Sequence, residues 1–212
     1  MTLLLNGCSY GHVWQSFPGV NISKTGGSFY RSVRTTVEYC ASNGNPNAVL
    51  IPITFIDRDE YITSISQDSI IEGPYNVSNS STELKQLNET FNMLSDTSYA
   101  TWDRFFLTLT LFCAWLEQQN IKYIIWDQCN KFNKVHLTGY KAINKFKYIE
   151  KNKNIVDLFN FCANQYMYDN GAPITDPHTN VPSQAHYEDQ YYKVLANYLR
   201  EYIKQHNLGI DL

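Results

Sequence analysis

Three short apolar runs stand far apart in this chain: Leu3-Leu4-Leu5, Ala48 to Phe55, and Ile121 to Asp127. Runs of that length with almost no polar alternation are what strands look like when both of their faces are buried, as in a parallel sheet. Parallel neighbours cannot be joined by tight turns, so the long amphipathic segments between the runs have to be crossovers, usually helical. Residues 28–42 fit the first, with Phe29, Val33, Val37 and Cys40 at three- or four-residue spacing and Gly44-Asn45-Pro46 to end it. Tyr99 to Gln119 fits the second, with a wide stripe from Trp102 through Phe105, Phe106, Leu109, Phe112 and Cys113 to Leu116. Further helices are expected around 154–167 and over 183–205, the last with Tyr187, Tyr191, Val194, Leu195, Tyr198 and Tyr202 on its apolar side. The resulting order (β, α, β, loop, α, β, α, loop, α) predicts an α/β chain built as a three-layer α/β/α sandwich with a mainly parallel sheet. Pro52 sits inside the second run, where it weakens the middle of the strand or marks the edge of its pairing.

The 212 residues suit a single domain over 1–212, and no linker or repeat divides them. Residues 63–97 break the pattern. Ser, Asn, Thr and Gln dominate there, which reads either as a polar insertion or lid over a site, or as a solvated loop with one short helix at 83–94. The net charge is −3, and the densest basic cluster (Lys141, Lys145, Lys147, Lys151, Lys153) is diluted by Glu150 and asparagines, so nucleic acid is not an expected partner. Met1 to Asn6 has no basic stretch and too short an apolar run for a signal peptide, and no segment approaches the ~18 apolar residues of a membrane span. A cytoplasmic protein with no membrane partner is expected. Five cysteines at 8, 40, 113, 129 and 162, with no CxxC pair, read as buried reduced thiols.

In open parallel sheets, ligands bind beyond the carboxyl ends of the strands. Ser9 falls there, directly after the first run, between Gly7 and Gly11, whose missing side chains allow a sharp turn and a close approach. A helical turn starting after Ser9 would offer free N–H groups to a developing oxyanion. Far away, Thr175-Asp176-Pro177-His178 precedes the last helical segment. An Asp two residues before a His can orient the imidazole, which can then take a proton from a serine hydroxyl. The same pair, with Asp57 and Asp59, would also suit a divalent metal, although no repeated ligand motif supports that reading.

A strand followed by Gly-x-Ser at one end, with Asp-x-His before the last helix at the other, resembles the SGNH/GDSL family of serine hydrolases over nearly the whole chain. The resemblance implies a flavodoxin-like fold, with Ser9 as nucleophile and His178 and Asp176 completing a triad. It also implies a small-molecule or carbohydrate ester as substrate, and no cofactor or metal. The first block reads Gly7-Cys8-Ser9-Tyr10, with Cys8 where the family commonly has Asp. His186 resembles the second His of the family's tail and is expected to pack or cap. The resemblance makes Gly27, in Gly26-Gly27-Ser28, the backbone donor that joins the Ser9 N–H in the oxyanion hole. Phe29 stands where an Asn often follows in this block. The third block departs from the family: its Asn is missing, and Thr54 is the residue left to donate at that place. A missing donor of this kind costs roughly 10²–10³ in rate. Tyr10 and Trp14, with His12, are candidates to wall a substrate pocket, although Trp14 equally suits core packing. Arg58 can hold a substrate carboxylate or pair with Glu60 to stiffen the rim. Two rival readings stay open: a catalytically inactive binding or structural module of this fold, and a metal-dependent phosphoesterase.

Overall fold

The computed structural model describes residues 2–7, 15–24, 27–54, 56, 59–64, 67–71, 98–129, 143–174, 180, 182 and 186–212, with the backbone alone at 59–64, 67–71, 98–101 and 143–146. In chain order the elements are β1 (Leu3–Leu5), β2 (Val20–Asn21), α1 (Phe29–Asn43), β3 (Ala48–Ile53), β4 (Asp59–Ser64), β5 (Gln67–Ile71), α2 (Ser98–Gln118), β6 (Lys122–Asp127), α3 (Ile143–Lys151), α4 (Ala163–Asp169) and α5 (Asp189–Gln205). The main sheet has the order β2-β1-β3-β6 and all its pairings are parallel. A parallel bridge between Ile125 and Ile155 extends it by one more line of chain beyond β6. Ile125 N–H donates to Asn154 O at 2.8 Å, and Val156 N–H donates to Ile125 O at 2.9 Å.

Side chains that alternate along each strand divide the core between the two faces of the sheet. Leu3, Leu5, Ala48, Leu50, Ile124 and Trp126 point to one face, where they meet Ala163 and Met167 of α4 and Tyr192, Leu195, Leu199 and Ile203 of α5. Leu4, Val49, Ile51, Ile53, Tyr123 and Ile125 point to the other, against Phe29 of α1, Phe105, Leu109, Phe112 and Leu116 of α2, and Ile149 of α3. The three-layer parallel sandwich is therefore present. Burial on both faces is also why these strands carry no polar alternation. Leu50 turns its carbonyl toward β1, accepting from Asn6 N–H at 3.2 Å. Pro52, two residues on, faces the same side, but β1 ends at Leu5, level with Leu50. The proline's missing N–H thus falls just past the end of its neighbour.

Several expectations are corrected. The helix expected around 154–167 is instead the Ile155 bridge, a turn and the seven residues of α4. The turn is held by Asp157, whose carbonyl accepts from Asn160 and Phe161 N–H and whose carboxylate accepts from Asn160 Nδ2 at 2.7 Å. The stretch before it contains α3, a helix that was not expected. The last helix starts at Asp189, not at 183, and its buried stripe is Tyr192, Leu195, Ala196, Leu199 and Ile203. Tyr191, Tyr198 and Tyr202 only flank that stripe. The α1 stripe is also turned: Ser32 and Thr36 are buried while Val37 is 38% exposed. Part of the polar 63–97 region is the hairpin of β4 and β5, a separate antiparallel pair that lies against α1 through β4. Residues 72–97, including the short helix expected at 83–94, lie outside the described residues.

Cys40, Cys113, Cys129 and Cys162 are buried and reduced, as expected, and Cys8 is outside the described residues. Among the described residues no helix is long and apolar enough to cross a membrane.

Candidate active site

The strand order fixes where a site can form. The chain passes from β1 to β2 on one side of β1, then returns through α1 to β3 on its other side, so the topology switches direction between β1 and β3. Loops leaving the carboxyl ends of two such strands diverge and leave a crevice between them. Asn6 and Gly7 leave β1 at this crevice, Thr54 leaves β3 there, and Gly27 enters it just before Ser28, the N-cap of α1. Ser28 Oγ accepts from Arg31 N–H at 3.0 Å, which satisfies one of the free donors of the first helical turn.

A continuous run of hydrogen bonds joins these segments. Asn6 Oδ1 accepts from Gly7 N–H at 2.9 Å. Gly7 O accepts from Lys24 N–H at 3.1 Å, and Lys24 O accepts from Gly27 N–H at 2.9 Å. Gly27 O in turn accepts from the Thr54 hydroxyl at 3.1 Å, with Thr54 fully buried. Both described members of the expected oxyanion hole thus lie in the crevice, and each donates to a protein carbonyl. Gly27 is also needed for space. A Cβ there would stand 2.9 Å from Lys24 O and 3.2 Å from Gly7 O, so only glycine lets these backbones meet.

Ser9, Tyr10 and Trp14 belong to residues 8–14, Arg58 to 57–58, and Asp176 and His178 to 175–179, all outside the described residues. Glu60 lies on β4, with its side chain not described. The residues that bracket the two motifs are described, and they belong to one core. Leu5 and Phe17, on either side of 8–14, share one core with Ala172 and Tyr187, on either side of 175–185, and Ile174 packs against it. Arg200 of α5 donates to Ser16 O at 2.5 Å and lies over the Phe17 ring at 4.8 Å. The Tyr187 hydroxyl donates to Pro182 O at 3.0 Å, and burial pushes that phenol up to about 12. His186, beside it, is exposed.

Two buried carboxamides at these carboxyl ends escaped the sequence reading. Asn6 is fully buried, and its Nδ2 donates to Ser32 O at 2.8 Å and to Thr35 and Thr36 Oγ1 at 2.9 Å each. Gln128, after β6, accepts from Trp126 Nε1 at 2.9 Å and donates to Asn164 Oδ1 at 2.7 Å, tying β6 to α4. The one available signal was position: each is a polar amide directly behind an apolar strand, or one residue further on.

The elements and the crevice define the class, a parallel α/β/α sandwich with its candidate site at the β1/β3 switch point. Comparison with known proteins finds no matching family model and no matching curated protein. Among solved structures, a Bacteroides fragilis protein provisionally named an acylhydrolase is similar, with 13% identity, a TM-score of 0.48, and coverage of 98% of this chain and 88% of that one. An acetyl xylan esterase is similar at 12% identity and the same TM-score of 0.48, covering 95% of this chain and 98% of that one.

Proposed function

We propose that the chain is a serine esterase or deacylase whose nucleophile is Ser9, whose general base is His178, and whose Asp176 orients the imidazole. The observation that supports this reading is that residues bracketing the Gly-x-Ser and Asp-x-His motifs, distant in sequence, belong to one core on the same face of the sheet: Leu5 and Phe17 on one side, Ala172 and Tyr187 on the other. In this reading Ser9 Oγ attacks an ester carbonyl while His178 takes its proton. Asp176 steadies the resulting imidazolium. The alcohol leaves with that proton, and water, activated by the same imidazole, releases the acyl group.

The tetrahedral oxyanion would face the N–H groups of Ser9 and Gly27, with Thr54 beside them. Gly27 N–H now donates to Lys24 O, so it has to share that bond or turn from it when the oxyanion forms. The Thr54 hydroxyl, engaged with Gly27 O, supports Gly27 more readily than it reaches substrate. Tyr10, Trp14, Arg58 and Glu60 are the proposed walls of the substrate pocket. An O-acetylated carbohydrate or another small acyl ester is the proposed substrate class.

A fluorophosphonate probe tests the assignment. It should label the wild type and fail on Ser9→Ala. p-Nitrophenyl acetate turnover should be lost in His178→Ala and largely kept in His186→Ala; equal losses would reassign the base. With His178 as base, kcat/KM rises with pH through an apparent pKa near ~6.5. The engagement of Gly27 and Thr54 with protein carbonyls favours one other reading, an inactive module of the same fold. Silence of the wild type toward both probe and acetate would select it.

A further inference from the structure

We infer that Asn6 is a positioning residue for the candidate site, setting the end of β1 against the N-terminal half of α1. For catalysis this inference rests on the hydrolase reading above; its structural part does not. The carboxamide has only one possible orientation. The Thr35 hydroxyl spends its proton on Arg31 O at 2.8 Å, and the Thr36 hydroxyl spends its proton on Ser32 O at 2.7 Å. Both hydroxyls, and the Ser32 carbonyl, therefore present lone pairs to Asn6, and only the NH2 group can face them. Oδ1 is left to face Gly7 N–H. One fully buried side chain thus joins the peptide leaving β1 to three sites on α1, 26 to 30 residues away in sequence.

The consequence reaches both walls of the crevice. Gly7 O holds Lys24, and Lys24 O holds Gly27, which stands at the mouth of the same helix that Asn6 grips. Asn6 therefore sets the separation between Gly7, where the chain leaves β1, and the Gly27 N–H. It also explains why the inner face of α1 carries Ser32 and Thr36 where an apolar stripe was expected. A hydrophobic residue at position 6 would fill the volume but make none of these bonds, and it would leave Gly7 N–H buried without its acceptor.

Asn6→Asp is the sharpest test because it preserves shape and the acceptor for Gly7 but takes away both N–H donors. A carboxylate would then meet three lone pairs. Hydrogen exchange followed by mass spectrometry should show the Gly7 and Lys24 amides losing protection while those of α5 keep wild-type rates. Protection should return as pH falls and the carboxyl regains a proton to donate. In turnover of p-nitrophenyl acetate, kcat should fall on the order of 10²-fold with KM unchanged, the signature of displaced catalytic groups. Asn6→Ala should give the same pattern without the recovery at low pH. Unchanged exchange at Gly7 and Lys24 in a folded Asn6→Asp protein would overturn the inference, as would an unaltered kcat. If Asn6→Asp folds only at low pH, the Gly7 and Lys24 amides should be the first to open as pH is raised; opening that begins in α5 would also overturn it. A wild type with no esterase activity would refute the hydrolase reading alone, and exchange would then decide the role of Asn6.

Discussion

Gly27→Ala isolates the effect of one methyl group at the crevice. Gly44, Gly171 and Gly209 have positive φ, and Gly27 does not share it, so alanine meets no backbone penalty there. What it meets is oxygen. The new Cβ would lie 2.9 Å from Lys24 O and 3.2 Å from Gly7 O, and both are backbone atoms with no rotamer to yield. Either Lys24 O moves away, which stretches the 2.9 Å bond it receives from Gly27 N–H, or the end of β1 moves. Overpacking of this kind costs about 1–3 kcal/mol. For a chain of this size that corresponds to a fall in Tm of about 2–12 °C. Thermal melts of the two proteins measure the loss, and the rate of fluorophosphonate labelling should drop with it, because Gly27 N–H moves with its neighbours. An alanine variant with wild-type Tm and labelling rate would refute the claim that these carbonyls require glycine.

Gly44→Ala provides the contrast: φ is +83° and a Cβ would have nothing within 4 Å, so the cost is purely conformational, about 1–2 kcal/mol, and should lower the urea midpoint with an unchanged m-value. Gln128→Leu removes the side-chain bonds to Trp126 and Asn164 and should cost about 1–3 kcal/mol by the same measurement; a neutral result would make that network dispensable. At the other end of β6, Tyr123 and Tyr148 both donate to Glu117 Oε1, at 2.7 and 2.8 Å. Burial, the leading cause, pushes the Tyr148 phenol and the Cys113 thiol each up to about 12 and raises Tyr123 further. Because these folded-state values lie above the unfolded ones, the stability they contribute is complete below the ordinary thiol and phenol range. It is lost as pH climbs from there through about 12. Tm should therefore fall over that window, less steeply in Tyr123→Phe, and a Tm flat across it would refute the assignment.

How much of this could be read from the sequence depended on whether each signal was local. β1, β3 and β6 were legible because strands buried on both faces are uniformly apolar, and α2 because its stripe is long. The cap at Gly44 was legible for the same reason. β2 was not: it is two residues long, and Val20 is 41% exposed, so nothing but its partner makes it a strand. Ile155 is likewise sheet only because Ile125 lies beside it. The segment after it carries Leu158, Phe159, Phe161 and Cys162 near helical spacing, but the Asp157 turn interrupts the chain before a helix can start. At the site, Gly27 and Thr54 were singled out by the family resemblance, and the structure brings them into contact. That Thr54 donates to Gly27 depends on backbone geometry, and the role of Asn6 on helix residues far along the chain, so neither left a mark in neighbouring residues.

The grip of Arg200 on Ser16 spans 184 residues. A growing polypeptide would present its first strand to the cell long before the helix that clasps the segment after it has been made. Whatever these two segments do together is thus withheld until the helix 184 residues further on has been synthesised and has docked. Topologies that depend on such distant pairs fold slowly, and a fragment cut short of α5 would have no Arg200 to hold Ser16 and Phe17.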